Sequence, residues 1–264
     1  TIVHKLNQIN ILEIPETPLV YWINLELAEI LKCKIKIKDF DHPHDGMTTG
    51  DNQRFLRFYW EVNNLNRWRG YSKGGGYRKW AGFENLKVDW DFSGVRIKNH
   101  PRSFIRNEAF FFNKGLTYSL TARASLGIRF INGVAFDPQS PSIFPKDCLF
   151  EIAGLLSSRI STYLLRFVSP GLIFNGGYVG NMSVPKDIKK SKLKIFSLNC
   201  YKFKNLYNEF ILEELRFSPC RYNKFLYYNL YKSYYVFINF LFITNTYLHL
   251  YEALIDLTAN ILFR

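Results

Sequence analysis

Apolar and polar positions change period several times along the chain, and each change marks an element. After Pro15 and Pro18, Trp22, Leu25, Ala28 and Ile30/Leu31 recur near helical spacing, which predicts an amphipathic helix over Glu16–Leu31. Lys32–Lys38 (KCKIKIK) then alternates strictly and reads as a strand with one wet face, closed by the polar connector DFDHPHDG. Asp51 or Asn52 can cap a helix running to about Val62, with Arg54 and Arg57 on one face and Phe55, Leu56, Tyr59 and Trp60 on the rest. From Val88 to Phe136 the pattern predicts short strands: VDWDF, GVRIKN, AFFFNK, LTYSLTA, IRFI and VAFD. Within Ala109–Asn113, alternation would point Phe110 and Phe112 to one face and Phe111 to the other. Leu149–Val168 predicts one long helix with Leu155/Leu156, Ile160, Tyr163/Leu164 and Phe167 on a buried stripe, stopped by Pro170-Gly171. Further helices are expected at Leu206–Phe217 and Leu226–Phe263. No internal repeat is visible.

Charge is distributed unevenly over this pattern. The formal net charge is +13, and Gly46–Phe130 holds 15 lysines and arginines against 6 acids, so this third of the chain carries most of the excess. Four of five tryptophans, Trp60, Trp68, Trp80 and Trp90, fall within it. Stacking surface mixed with cations suits nucleic acid first and an acidic membrane surface second. With 47% hydrophobic residues the chain can bury a sizeable core, which excludes a disordered protein.

Several candidate chemistries do not survive inspection. Cys33, Cys148, Cys200 and Cys220 form no CxxC pair, so neither a zinc ribbon nor a disulfide scaffold is indicated and a reducing, cytoplasmic setting follows. His42-Pro43-His44, flanked by Asp41 and Asp45, offers metal-ligand types, but the intervening proline gives no defined ligand geometry. In GYSKGGGYRKW the lysine precedes the glycines, opposite to a Walker loop, and the three glycines either let the backbone approach a ligand closely or make a flexible hairpin turn. Gly176-Gly177 and Gly180 lack the strand–GxGxxG–helix context and read as turns. No nuclease-like acidic cluster occurs. Ser233–Tyr251 runs 19 residues without a charge, so a basic protein anchored in a membrane by residues 233–251 is an alternative, although Asn239, Asn245, Thr244, Thr246 and His249 favour a buried or interfacial helix. Thr1 and the TIVHKLNQINI start, without an apolar signal core, suggest a chain that begins mid-protein.

Five blocks in order carry a family resemblance: TTGDNQRFLRFYWEV, KGGGYRKWAGFENLKVDW, FIRNEAFFFNKGLTYS, IRFINGVAFDPQSPSIF and GLLSSRISTYLLRFVSPGLIFNGGYVGNMSVP. Together they resemble the post-catalytic half of adenine-specific DNA methyltransferases of the BREX phage-resistance type, with type IIG restriction-modification enzymes as wider relatives. The resemblance implies an α+β target-recognition domain, with a small mixed or antiparallel sheet and packed helices, over residues 46–190. It would follow a remnant of the methyltransferase core (1–45) and precede a helical tail (191–264) of different, Lys-rich then aromatic character. That tail departs from the family pattern, so that either a different helical module follows or the reading frame is altered in this copy. The family's Asn-Pro-Pro-aromatic motif, which holds an extruded adenine, is absent, as is a glycine-rich S-adenosylmethionine loop. The chain alone is therefore expected to be inactive and to bind no cofactor, S-adenosylmethionine belonging to the full-length enzyme. Its expected partners are double-stranded DNA, an N-terminal methyltransferase domain and other phage-defence subunits. Phosphate contacts are expected from Arg54, Arg57, Arg67, Arg69, Lys73 and Lys79, and base-edge or stacking contacts from Tyr77, Arg78, Trp80 and Arg106.

Overall fold

In a computed structural model the structure describes residues 29–263, apart from residues 65, 124, 170, 212, 215–222 and 226–229. Helix α1 (Asn52–Phe55) opens on Asp51, whose carboxylate accepts the Arg54 N–H, and runs directly into strand β1 (Leu56–Phe58). The helix expected to reach Val62 thus ends seven residues early. Phe55 and Leu56 are both buried, and Leu56 pairs with Val88, so sheet pairing overrides the local helical pattern.

Strands β2 (Trp68–Ser72) and β3 (Leu86–Asp89) pair antiparallel across a long loop. Beyond helix α2 (Val95–Lys98) come β4 (Gly115–Thr117), β5 (Arg129–Ile131), β6 (Val134–Phe136) and β7 (Ser142–Ile143). They form two sheets: a mixed one ordered β1-β3-β2-β6, in which β2 and β6 are parallel, and an antiparallel one ordered β5-β4-β7. Together with the helices this is the α+β architecture the sequence implies. Two expected strands are not strands. GVRIKN forms α2, with Ile97 buried, and the start of AFFFNK forms a 3-10 turn, Glu108–Phe110. In that turn Phe111 enters the core while Phe110 and Phe112 are half-buried against it, so strand alternation does not describe them. The alternating Lys32–Lys38 segment is likewise no strand. Lys36 makes one isolated bridge to Ser183, and the Asp39 carboxylate accepts the Lys36 N–H at 2.8 Å, turning Ile37–Asp39 into a 3-10 helix.

The helical part comprises α3 (Leu149–Ser157), α4 (Arg159–Val168), α5 (Gly176–Gly180), α6 (Leu193–Asn208) and α7 (Leu230–Leu262). The single helix expected over 149–168 is broken at Ser158, which is extended at φ −72°, ψ 155° and caps α4 by accepting the Ser161 N–H. Gly176–Gly180 is a short helix and not a turn; its glycines let the backbone lie against Pro43, where a Cβ at Gly176 or Gly180 would meet ring atoms at 3.3 Å. The helix expected at 206–217 lies earlier, at 193–208. Of the helix expected at 16–31, only residues 29–31 are described, and they are helical.

Two apolar cores result. One packs against the mixed sheet with Met47, Phe55, Tyr71, Val88, Ile97 and Phe136. The other joins β4 and β5 to the helices, and contains Leu156 and Leu164 together with Leu193, Cys200, Leu248 and Ile255. A change of composition near residue 190 is thus crossed by continuous packing, in which Tyr201 packs against Phe130 with ring centroids 4.8 Å apart. Residues 233–251 make up the middle of α7, and among the described residues no helix is long and apolar enough to cross a membrane.

Candidate nucleic-acid interface

The register of the mixed sheet sorts its cations by face. Arg57 lies opposite Lys87, and Lys87 opposite Gly70, so Arg57 and Lys87 share one face with Trp68. Arg57 stands 5.9 Å from the Trp68 ring and donates to the Gln53 and Leu56 carbonyls at 2.5 and 2.6 Å, which fixes its stem while leaving part of the guanidinium outward. Burial, which outweighs the pull of Glu84, lowers the Lys87 pKa. Arg69 belongs to the opposite face, where its guanidinium covers Phe112 at 4.4 Å.

At one end of these strands a single buried carboxylate organises two more cations. Asp89, 2% exposed, accepts Arg67 through Nε (2.9 Å) and Nη2 (2.8 Å), and Arg96 through Nη1 (2.8 Å). Burial alone would raise the Asp89 pKa, but the Arg67 hydrogen bond and the charges of Arg67 and Arg96 hold it below the usual carboxylate value. Arg67 is therefore a half-exposed member of a clamp, its guanidinium braced by Asp89. Arg54 is exposed on α1 beside this end, 5.2 Å from the Phe55 ring.

The loop between β2 and β3 divides the remaining candidates. A Cβ at Gly74 would lie 1.9 Å from the Gln139 carbonyl oxygen, so this glycine admits the chain's own backbone. Lys73 is half-buried near Asp137, whereas Tyr77 and Arg78 are exposed, Arg78 lying 5.2 Å over Phe83. Trp80 does not belong with them. It is wholly buried, its backbone bridges to Arg129, and its indole Nε1 donates to Glu252 Oε1 at 2.8 Å, so it cannot stack on a base. The loop leaves the mixed sheet and reaches the second sheet at Trp80, whose indole lies against Glu252 of α7. Lys79 is drawn the same way, 3.6 Å from Glu252. Arg106 lies apart on a loop with exposed Phe104, 3.5 Å from Asp45.

The structure thus brings Arg57 and Arg67 together around Trp68, leaves Arg54 exposed on the adjoining α1, and adds Lys87 and Arg96, which sequence reasoning does not single out. Lys87 has a signal: in LKVD it alternates with Leu86 and Val88, which places it on the face away from the core. Arg96 has none, because GVRIKN reads as a strand. His44 Nε2 pairs with Asp41 at 3.1 Å and stacks on Phe110, and no group of three metal-ligand side chains occurs among the described residues.

No protein-family model matches the chain. It is 29% identical over 209 residues to the adenine-specific methyltransferase PglX of Lacticaseibacillus casei (strain Zhang), across 70% of the chain and 17% of that relative. It is 24% identical over 207 residues to the adenine-specific methyltransferase BrxX of Escherichia coli O9:H4 (strain HS), across 69% of the chain and again 17% of the relative. The chain is a distant homologue of these methyltransferases. It spans about a sixth of the length of PglX and BrxX, in agreement with the resemblance carried by the five ordered blocks.

Proposed function

We propose that this chain is the DNA target-recognition part of an adenine-N6-specific, S-adenosylmethionine-dependent methyltransferase of the PglX and BrxX kind, acting in phage defence or restriction-modification. The observation that carries this reading is the gathering of Arg57, Arg67, Lys87 and Arg96 with Trp68 around one face and one end of the mixed sheet, with Arg54 exposed on the helix that leads into β1. Cations braced on aromatic rings and a buried carboxylate keep their geometry and lose little freedom when they meet phosphates. Arg69, Lys73, Tyr77, Arg78 and Arg106 extend the proposed contact surface onto the loops, with Tyr77 and Arg78 as the candidates for base contact; Lys79, tied to Glu252, is at most a peripheral charge.

Gly74 admits the Gln139 backbone and Gly176 and Gly180 admit Pro43, and the sequence carries no Asn-Pro-Pro-aromatic motif to hold an extruded adenine. S-adenosylmethionine and methyl transfer are therefore assigned to a methyltransferase domain outside this chain, which would be its first protein partner, other defence subunits coming after.

The test is the salt dependence of binding to duplex DNA. Each neutralised phosphate should contribute roughly −0.9 to the log–log slope, so replacing Arg54 and Arg57 together by Gln should flatten it by about one to two units. A salt-independent affinity in the wild-type chain would remove the assignment. Titration with S-adenosylmethionine should show no saturable heat.

A further inference from the structure

Immediately after β3 the chain makes a turn that a protein of this size rarely tolerates without reason. Phe92 (φ 46°, ψ 49°) and Ser93 (φ 58°, ψ 35°) are both left-handed, and Gly94 (φ 74°) continues the same hand. Two consecutive non-glycine residues in this region are costly and persist only where the surroundings dictate them. Here they do. The Trp90 N–H donates to the Arg67 carbonyl at 2.8 Å, and the Trp90 ring meets Phe111 and Phe112 edge-on, at 5.6 Å each. Gly94 folds over that ring so closely that a Cβ would sit 2.7 Å from it. On the far side Ile97 anchors α2 in the core.

The strained turn does nothing for the core itself, because Phe92 is carried outward and left 82% exposed. One exposed apolar side chain is ordinary on a protein surface. A phenylalanine held outward on a braced, left-handed turn, three residues after a carboxylate that holds two arginines, is not. Arg67 and Arg96 are held on Asp89, three residues before it in the chain, and Lys98 lies 5.7 Å over the Trp90 ring.

We infer that Phe92 is a preformed wedge that enters between adjacent base pairs of duplex DNA while Arg67 and Arg96 hold the phosphates beside the opened step. This rests on the DNA-recognition reading above and adds to it a site that distorts the duplex. Apolar side chains inserted at a base step partly unstack it and kink or untwist the helix, and flanking cations set the register. A rigid mount suits this role, since a wedge on a mobile loop would yield before the stack did. Phe92 itself carries no charge, so its contribution is separable from the electrostatic one.

The experiment relaxes closed circular plasmid with a topoisomerase in the presence of the full chain, with filter retention of the same plasmid measured in parallel. The wild-type chain should change the linking number in proportion to the protein retained. Phe92→Ala should be retained with the same salt slope yet leave the linking number at its protein-free value, and Phe92→Leu should restore most of the change. Thermal unfolding of all three should coincide, since the side chain buries little. Equal linking changes for wild type and Phe92→Ala, or retention of wild type with no change at all, would overturn the wedge and turn Phe92 over to a protein contact. Failure of the wild-type chain to be retained at any salt would instead bring down the DNA reading, and the wedge with it.

Discussion

Asp137 shows how a single buried carboxylate makes the stability of this chain depend on pH. Burial raises its pKa to about 6, against the opposing pull of the Gly74, Gln139 and Ser140 N–H groups and of Lys73. The folded pKa lies above the unfolded one, so the residue's contribution to stability is complete below about pH 4 and is lost as pH rises through about 6. Asp137→Asn should remove this dependence and stabilise the chain at pH 8 by about 1–3 kcal/mol, since each tenfold change in proton affinity is worth about 1.4 kcal/mol. Urea unfolding at pH 5 and pH 8 decides it: a variant no more stable than wild type at pH 8 would mean that the Gly74 loop already solvates the carboxylate. Nothing in the sequence marks Asp137, which stands in an ordinary Asp-Pro turn. Trp80 teaches the converse. By pattern it is a stacking residue, because Tyr77, Arg78 and Lys79 surround it, and only the later Glu252, 172 residues away, reveals that its indole points inward.

Periodicity reports which faces are buried more faithfully than where helices begin and end. Leu156, Leu164 and Phe167 line the buried side as their spacing indicates, with Ile160 half-buried and Arg159 exposed. The break at Ser158 is hidden in the sequence because the stripe continues across it. Its cause is chemical, in that the Ser158 hydroxyl donates to the Leu155 carbonyl at 2.6 Å and accepts the Ser161 N–H, closing one helix and opening the next. Ser158→Ala should therefore cost about 0.5–2 kcal/mol, the range of a lost N-cap. Leu164→Ala, which empties a fully buried position, should cost about 2–5 kcal/mol. Chemical denaturation of both variants ranks them, and a Ser158→Ala loss exceeding that of Leu164→Ala would refute the capping account. The start of β1 departs from its pattern for a different reason: QRFLRFYW is helical by spacing, and only the pairing of Leu56 with Val88, 32 residues on, draws it into a sheet.

Across the whole molecule the composition change near residue 190 is not matched by any gap in the packing. Leu193, Cys200, Leu248 and Ile255 lie in one core with Leu156, and two polar ties reach back from α7, Glu252 to Trp80 and Asp256 to the Arg159 N–H at 2.7 Å. Ending the chain at residue 198 should expose this core, lower the unfolding midpoint and shift Trp80 emission to the red; a truncated chain that unfolds as cooperatively as the full one would show residues 46–190 to be self-sufficient. The mixed sheet holds a separate consequence. Strands β1, β3 and β2 are neighbours in sequence and can pair early, but the parallel partner of β2, joined through Gly70 and Val134, leaves the ribosome only after more than sixty further residues have been added. Until then β2 presents an open edge, the kind of surface on which nascent chains stick to one another. Closing that edge thus waits on synthesis, and slow translation between residues 72 and 134 should lengthen the time during which an emerging chain needs a chaperone.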